Sequence, residues 1–207
     1  MRKLYDVVAL ALSPSAWWGR MRVEGLERVP AEGPLLVVPN HDSQWDPIVV
    51  GVALRRRRRL RFLARADLWR TPVIGRPLGT VLGAIGQIPI ERGAGDAQAL
   101  ENAVEALRSG EAICVFPEGK LSHGERLRAR TGVARLAVAC PGVAVVLCAV
   151  EGVTAYAHFP RRPRVRVSFF SPAAGQPHPG EPPDELAARL LTEIRERIPP
   201  VPAGRGE

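Results

Sequence analysis

Residues 35–47 read LLVVPNHDSQWDP, and this stretch passes from an apolar run through a polar turn into a second apolar segment. Its first part, Leu35–Pro39, is typical of a buried strand because it is short, continuous and apolar. An apolar helix is predicted to begin near Pro47, since proline fits the first turn of a helix. Open α/β sheets place their sites in loops at the carboxyl ends of strands, so the polar turn is a candidate functional site.

Similar apolar runs recur along the chain and alternate with longer helical stretches. This alternation is typical of helices layered on a largely parallel sheet. We therefore predict one α/β domain over residues 21–200, with a largely parallel or mixed central sheet of about seven strands flanked by helices. The predicted strands are Met21–Glu24, Leu35–Pro39, Arg61–Ala64, Gln87–Ile90, Ala112–Phe116, Val143–Val150 and Val165–Phe170.

Two helices have the clearest patterns. Ala97–Arg108, with Asp96 as its N-cap, carries apolar residues on one face, and Glu185–Ile198, with Asp184 as its cap, carries them at intervals of four. Residues 171–183 are rich in proline and glycine and are predicted to form a loop that ties the last helix to the domain. The apolar positions are Leu100, Val104 and Leu107 in the first helix and Leu186, Leu190, Ile194 and Ile198 in the second.

Composition restricts the class of protein. A chain of 207 residues with 46% hydrophobic residues has the size and apolar content for one sizeable core. A net charge of +8 favours partners that carry phosphate or anionic lipid headgroups. Cys114, Cys140 and Cys148 lie in apolar stretches at spacings unlike a zinc or disulfide pattern, so we expect buried thiols in a reducing compartment.

Residues 1–20 form an apolar segment that ends with Trp17 and Trp18 and is flanked by basic residues. It is too short to be a signal peptide or a membrane span. One interpretation is an amphipathic, membrane-associating helix in the lipid interface, and the other is a helix packed on the core. The first places the protein in the cytoplasm, peripheral on the inner face of the cell membrane.

His41 and Asp46 could act together in acid–base chemistry. They are five residues apart, which does not place them together on a regular helix, but a tight turn can bring the carboxylate to one imidazole nitrogen. The other nitrogen is then free to take a proton from an alcohol. The alternatives are a turn histidine bonded to backbone, Asp46 as the N-cap before Pro47, and Asp42 as the nearer acid.

Two later segments could contribute to the same site. The strand within Gly86–Arg92 would deliver Arg92 to the rim, where a guanidinium can bind a phosphate; alternatively, Arg92 is a surface residue paired with Glu91 or Asp96. In Phe116–Gly119, proline fixes the turn and glycine permits unusual backbone angles. Glu118 would lie beside the His41 loop, where a structural carboxylate could receive backbone amides or pair with Arg92.

The chain resembles the glycerolipid acyltransferases typified by 1-acylglycerol-3-phosphate acyltransferase. The resemblance rests on Asn40-His41 with Asp46, on Gly86–Arg92 and on Phe116–Gly119, in the family's order and spacing over about residues 33–152. It implies that His41 is the general base, that Asp46 stabilises the imidazolium, and that transfer from acyl-coenzyme A or acyl carrier protein to a lysolipid hydroxyl is direct, without cofactor or metal. The implied substrate-binding residues are Asn40, Arg65, Arg92, Glu118, Gly119 and Lys120.

Three positions depart from the family's pattern. Leu121 occupies the usual arginine position, Leu147 occupies a usual proline position in a strand, and Arg65 stands nearest to a usual lysine. The acceptor that the resemblance favours is 1-acylglycerol 3-phosphate, which would give phosphatidate. Because the change to Leu121 bears on phosphate recognition, glycerol 3-phosphate and another lysolipid such as a lyso-ornithine lipid stay open as alternatives. Leu147 is expected to alter a wall of the pocket.

The run Arg55–Arg59, joined by Arg61 and Arg70, could bind an anionic membrane surface, the phosphates of coenzyme A or an acidic carrier protein, or it could be a solvated turn. Helix Pro72–Ile85 could line a tunnel for the acyl chain, or simply belong to the core. Two rival functions remain: a basic nucleic-acid-binding module, and a hydrolase or inactive lipid-binding relative. Few aromatic residues accompany the arginines, so no nucleic acid is expected.

Overall fold

The computed structural model describes residues 2–66, 75–91, 96–123, 125–157, 162–178 and 180–198. Arg70, Arg92, the predicted helix start at Pro72 and the segment after Ile198 lie outside the described residues. For residues 2–3, 15–17, 75–78, 96 and 157, which lie within helices, the structure describes only the backbone.

Seven strands form one mixed sheet. Its order is β1-β7-β6-β2-β5-β3-β4, and β2, β3, β4, β5 and β6 run parallel to one another. β7 runs antiparallel to β6, and β1 pairs parallel with β7. The strands are β1 Arg22–Glu24, β2 Leu35–Pro39, β3 Leu60–Arg65, β4 Ile88–Ile90, β5 Ala112–Cys114, β6 Ala144–Glu151 and β7 Arg166–Phe170.

The helices cover both faces of the sheet. β2 lies in the middle of the parallel strands and is buried along its whole length. Alternate residues of a strand point to opposite faces, so Leu36 and Val38 join a core under α4, α5 and α6, while Leu35 and Val37 join a second core with α2 and β7. The helices are α1 Arg2–Trp18, α2 Asp46–Leu54, α3 Gly75–Ala84, α4 Asp96–Arg108, α5 Gly132–Ala139 and α6 Pro183–Arg197, with 3-10 helices at Leu26–Arg28 and Val153–Ala157.

Helix α1 packs on the domain along one face. Tyr5 and Ala9 are each 6% exposed, and the Tyr5 hydroxyl accepts a hydrogen bond from the Leu60 amide at 3.1 Å. On the other face, Val7 and Leu10 are each 61% exposed. The helix therefore has both a core-packed face and an outward apolar face. No helix in the described part of the chain is long and apolar enough to cross a membrane.

The predicted fold class, a single α/β domain with about seven strands, is confirmed, with strand bounds that differ by at most two residues. Cys114, Cys140 and Cys148 are buried free thiols, as predicted. The predicted cap of the last helix is wrong: α6 begins at Pro183 with Pro182 as N-cap, and Asp184 lies in its first turn. The run Pro182-Pro183 sets this start because proline is accommodated in the first turn of a helix.

Candidate active site

The loop after β2 is anchored by Asn40, which is fully buried. Its Oδ1 accepts a hydrogen bond from the Val150 amide at 2.8 Å, and its Nδ2 donates to the Val150 carbonyl at 3.0 Å. The same Nδ2 also donates to Asp42 Oδ2 at 2.7 Å. Because the amide group is engaged with the protein itself, Asn40 holds the loop against β6.

His41 and Asp46 lie together at the carboxyl end of β2. The Nδ1 of His41 is 3.2 Å from Oδ2 of Asp46, whose side chain is 1% exposed. The same oxygen accepts the backbone amides of Asp42 and Ser43 at 2.8 and 2.7 Å. The N-cap of α2 is Trp45, so the alternative in which Asp46 caps the helix is wrong.

Burial raises the pKa of the Asp46 carboxyl above its ordinary value of 3.8, while His41 and the Ser43 amide lower it. His41 keeps an exposed edge: its side chain is 18% exposed, and its ring stacks on Phe116 with centroids 4.0 Å apart. One ring nitrogen therefore faces a buried carboxylate, and the stacking on Phe116 orients the rest of the ring.

Glu118 lies at the turn that follows β5, directly beside His41. Its side chain is fully buried, and its Oε2 accepts the His41 backbone amide at 2.6 Å. Its other oxygen, Oε1, accepts a hydrogen bond from Arg195 of α6. Burial raises the pKa of Glu118, and Arg195 opposes that rise. Both oxygens are thus engaged, in line with the alternative that Glu118 receives backbone amides.

Arg195 is a residue that sequence reasoning missed. Its guanidinium also donates to Asp42 Oδ1 at 3.2 Å, and the Ser122 hydroxyl donates to the same oxygen. The Ser122 amide donates to the His41 carbonyl at 2.8 Å. Hydrogen bonds therefore hold the His41 backbone on both sides, and Arg195 joins the two acids of this network.

A cavity of about 1140 Å³ opens at His41. Much of its wall is apolar, with Val8 and Leu12 from α1, Ile48 and Val52 from α2, and Val81 and Leu82 from α3. The described part of the predicted helix Pro72–Ile85 thus lines the cavity. The size and the apolar wall of this cavity suit a long apolar ligand.

Several cations lie on the wall of this cavity. Arg65 at the end of β3, Lys120 and Arg130 all line it, as does Leu121. β4 runs parallel to β3, so the segment that leads to Arg92 leaves the sheet at the same edge. Leu147 is fully buried in the core under α4, α5 and α6 and is absent from the cavity wall in the described part of the chain; the expectation that it alters a pocket wall is therefore wrong.

Gly119 lets Arg130 pass close to the turn. Gly119 has φ 66°, in the left-handed region that favours glycine, and a Cβ there would overlap Cδ and Nε of Arg130. The Arg130 amide donates to the Pro117 carbonyl at 2.7 Å, which fixes the arginine over the turn. The glycine is therefore required for both its backbone angles and this contact.

We expect Gly119→Ala to destabilise the fold by about 2–3 kcal/mol, of which the left-handed backbone accounts for about 1–2 kcal/mol. Gly142→Ala is the matched control. Gly142 has φ 85°, and no described atom lies within 4 Å of the position that its Cβ would take. Urea unfolding of both variants separates the two costs. Equal losses in the two variants would contradict the Arg130 contact, and adding Arg130→Ala to Gly119→Ala should recover part of the loss.

The arginine run has a largely structural use. Arg57 donates to the Val29 carbonyl at 2.9 Å, Arg58 donates to the Gly33 and Gly110 carbonyls at 2.8 and 3.0 Å, and Arg59 pairs with Asp6 at 2.6 Å. The run also precedes β3, whereas His41 follows the carboxyl end of β2, at the opposite edge of the parallel strands. Arg58 is buried by these contacts, whereas Arg56, Arg57 and Arg59 stay exposed, so the run is in part a structural anchor and in part a solvated turn.

Comparison with known proteins bears on this arrangement. A family model described as acyltransferase matches residues 20–151. A lyso-ornithine lipid O-acyltransferase of Pseudomonas aeruginosa is 30% identical over 153 residues, covering 70% of this chain and 56% of that protein. A chloroplastic 1-acyl-sn-glycerol-3-phosphate acyltransferase of Arabidopsis thaliana is 29% identical over 136 residues, covering 64% of this chain and 36% of that protein.

A solved structure shares the fold. The crystal structure of the 1-acyl-sn-glycerophosphate acyltransferase of Thermotoga maritima matches 89% of this chain and 77% of that chain with a TM-score of 0.67 and 22% identity. The chain spans between about a third and just over half of the length of the two curated relatives.

Proposed function

The chain belongs to the acyltransferase family, and from this premise we propose that it transfers a fatty acyl group from a thioester carrier to a hydroxyl group of a lysolipid. The observation that carries the proposal is the His41–Asp46 pair at the head of a large apolar cavity. A base with one free nitrogen suits an alcohol, and an apolar cavity suits an acyl chain.

In the proposed reaction, Nε2 of His41 takes the proton of the acceptor hydroxyl as its oxygen attacks the thioester carbonyl carbon. Asp46, 3.2 Å from Nδ1, stabilises the imidazolium that forms. The tetrahedral intermediate collapses with cleavage of the carbon–sulfur bond, and the imidazolium returns its proton to the departing thiolate. The acyl group passes directly to the acceptor, without an acyl-enzyme.

The oxyanion of the intermediate needs hydrogen-bond donors. The Gly119 amide already donates to the Phe116 carbonyl at 3.1 Å, so we assign this role to Lys120 and Arg130, the cations on the cavity wall. Arg65, on the same wall, is proposed to bind a phosphate of the donor or acceptor, as is Arg92.

The acceptor is proposed to be 1-acylglycerol 3-phosphate or a lyso-ornithine lipid, since relatives acting on each resemble the chain to a similar degree. The test is to incubate the protein with acyl-coenzyme A, or acyl carrier protein, and each acceptor in turn. Free thiol and lipid product are followed together, the latter by mass spectrometry. Acylated product from either acceptor supports the proposal; thiol and free fatty acid without product would indicate a hydrolase and overturn it.

We also propose that the protein works as a peripheral protein on the cytoplasmic face of the cell membrane. Support comes from α1, whose outward face exposes Leu4, Val7 and Leu10 at 40%, 61% and 61%, a spacing of three residues that gathers them on one side of the helix. An apolar helix face beside basic residues binds the interface of anionic bilayers. Leu12 of the same helix lines the cavity, which would place the acyl-chain site near the lipid.

Replacing Val7 and Leu10 with serine is expected to weaken binding to vesicles of phosphatidylglycerol and phosphatidylcholine by about 10- to 30-fold, because each side chain loses about 1 kcal/mol of apolar burial. Co-sedimentation measures this. Val138→Ser is the matched control, because Val138 is 46% exposed on α5. Undiminished binding of the double variant would argue against this face of α1.

A further inference from the structure

We propose that Arg195 is a positioning residue for His41: it bridges Asp42 and Glu118, and thereby fixes the loop that carries the base. This inference rests on the proposed role of His41 in acyl transfer. Arg195 lies on α6, beyond residues 20–151 that match the family model. His41, Asp42 and Glu118 lie within the matched residues, so α6 would contribute a residue of this network from outside them.

The geometry gives Arg195 two acidic partners at once. One nitrogen donates to Glu118 Oε1, and another donates to Asp42 Oδ1 at 3.2 Å. The side chains of Arg195, Asp42 and Glu118 are 21%, 9% and 0% exposed. Two acids placed close together in a buried site repel each other and resist ionisation, and the guanidinium between them offsets both effects.

Each of the two acids holds a different part of the His41 loop. Glu118 accepts the backbone amide of His41 at 2.6 Å. Asp42 accepts the Asn40 side chain at 2.7 Å and the Ser122 hydroxyl, and the Ser122 amide in turn binds the His41 carbonyl. Loss of the cation would therefore loosen the backbone on both sides of His41, while the ring would keep its contacts with Asp46 and Phe116.

The experiment compares Arg195→Gln with Arg189→Gln. Arg189 lies on the same helix, is also 21% exposed, and also binds two acids, Glu181 and Glu193. Both variants lose a charged bridge of α6, so their losses of thermal stability should be similar. Only Arg195→Gln is expected to lower kcat, by about 10- to 100-fold, because a misplaced base slows the proton transfer; the KM of the thioester should change little.

The dependence of kcat on pH gives a second readout. The charged groups that face Glu118 are Arg195 from α6 and Asp42 from the His41 loop. Without Arg195, Asp42 and burial both raise the pKa of Glu118, so the carboxylate that accepts the His41 amide is protonated at higher pH. The acid limb of the kcat profile should move to higher pH in Arg195→Gln and stay in place in Arg189→Gln. Arg195→Lys keeps the charge but not the two-pronged geometry and should restore the limb with partial kcat.

The outcomes separate this inference from the proposed function. If His41→Ala is inactive while Arg195→Gln has the kcat and pH profile of Arg189→Gln, Arg195 is only structural and the inference is overturned. If His41→Ala keeps full activity, the proposed function itself fails. If Arg195→Gln loses kcat and has a displaced acid limb while Arg189→Gln does not, the positioning role is supported.

Discussion

Replacing His41 with alanine is expected to lower kcat by about 1000-fold, within the range that a positioned general base contributes. The alcohol of the proposed reaction would then have to lose its proton to water, although the apolar cavity is unchanged. KM for the thioester should therefore stay within a few-fold of its original value. The measurement is initial rate against thioester concentration, with lipid product and free thiol followed together.

His178→Ala is the matched control for this variant, because the His178 side chain is 71% exposed near the start of α6, away from the His41 loop. It should keep the original kcat. Thermal unfolding of both variants checks that the fold is intact, which is expected because the His41 side chain packs mainly on Phe116. Substantial acyl transfer by His41→Ala would remove the histidine from the chemistry.

Replacing Asp46 with asparagine is expected to lower kcat by about 100-fold or more, since the imidazolium would lose its charged partner. Asparagine has nearly the same shape, and its oxygen can still accept the amides of Asp42 and Ser43. Asp184→Asn is the control, because Asp184 is another acid in the first turn of a proline-led helix. A kcat equal to that of the control would exclude charge stabilisation by Asp46.

The same variant should also change how stability depends on pH. Burial raises the pKa of Asp46 above 3.8 in the folded protein, so its favourable contribution is complete below the unfolded value and is lost as pH rises through the folded value. Asparagine does not ionise and avoids this loss. As pH rises from about 4 through the folded-state pKa, the Tm of Asp46→Asn should therefore improve relative to the unaltered protein; the opposite trend would mean that the carboxylate is held below its ordinary pKa.

The parts of the fold that depend on local pattern were predictable. The strand Leu35–Pro39 has the bounds that its apolar run indicated, and the contact of His41 with Asp46 needed only a turn of five residues. The antiparallel direction of β7 was less strongly indicated by the sequence. A parallel neighbour needs a crossover connection, and no helix was predicted between β6 and β7 to provide one.

Arg195 and Arg58 could not be interpreted from their neighbours in sequence. Arg195 is 77 residues from Glu118 in the sequence. The apolar pattern of its helix identifies the face that packs on the core, but it does not indicate which polar residues of the helix meet the edge of the sheet. Arg58 lies in an arginine run typical of a solvated surface, yet it is 8% exposed. The carbonyls of Gly33 and Gly110 need hydrogen-bond donors where three loops converge, and Arg58 supplies them. In both positions, the partners are brought near only by the folded chain.

The reactivity of the buried cysteines can report how often the folded chain opens. Cys114 and Cys148 are fully buried, and burial raises the pKa of both thiols well above the ordinary value. A thiolate is the species that reacts with disulfide reagents and maleimides, so labelling requires the chain to open first. Thiol released from the proposed thioester donor can therefore be counted with a thiol reagent over a low background. In a sample without substrate, the slow labelling rate measures how often the sheet opens.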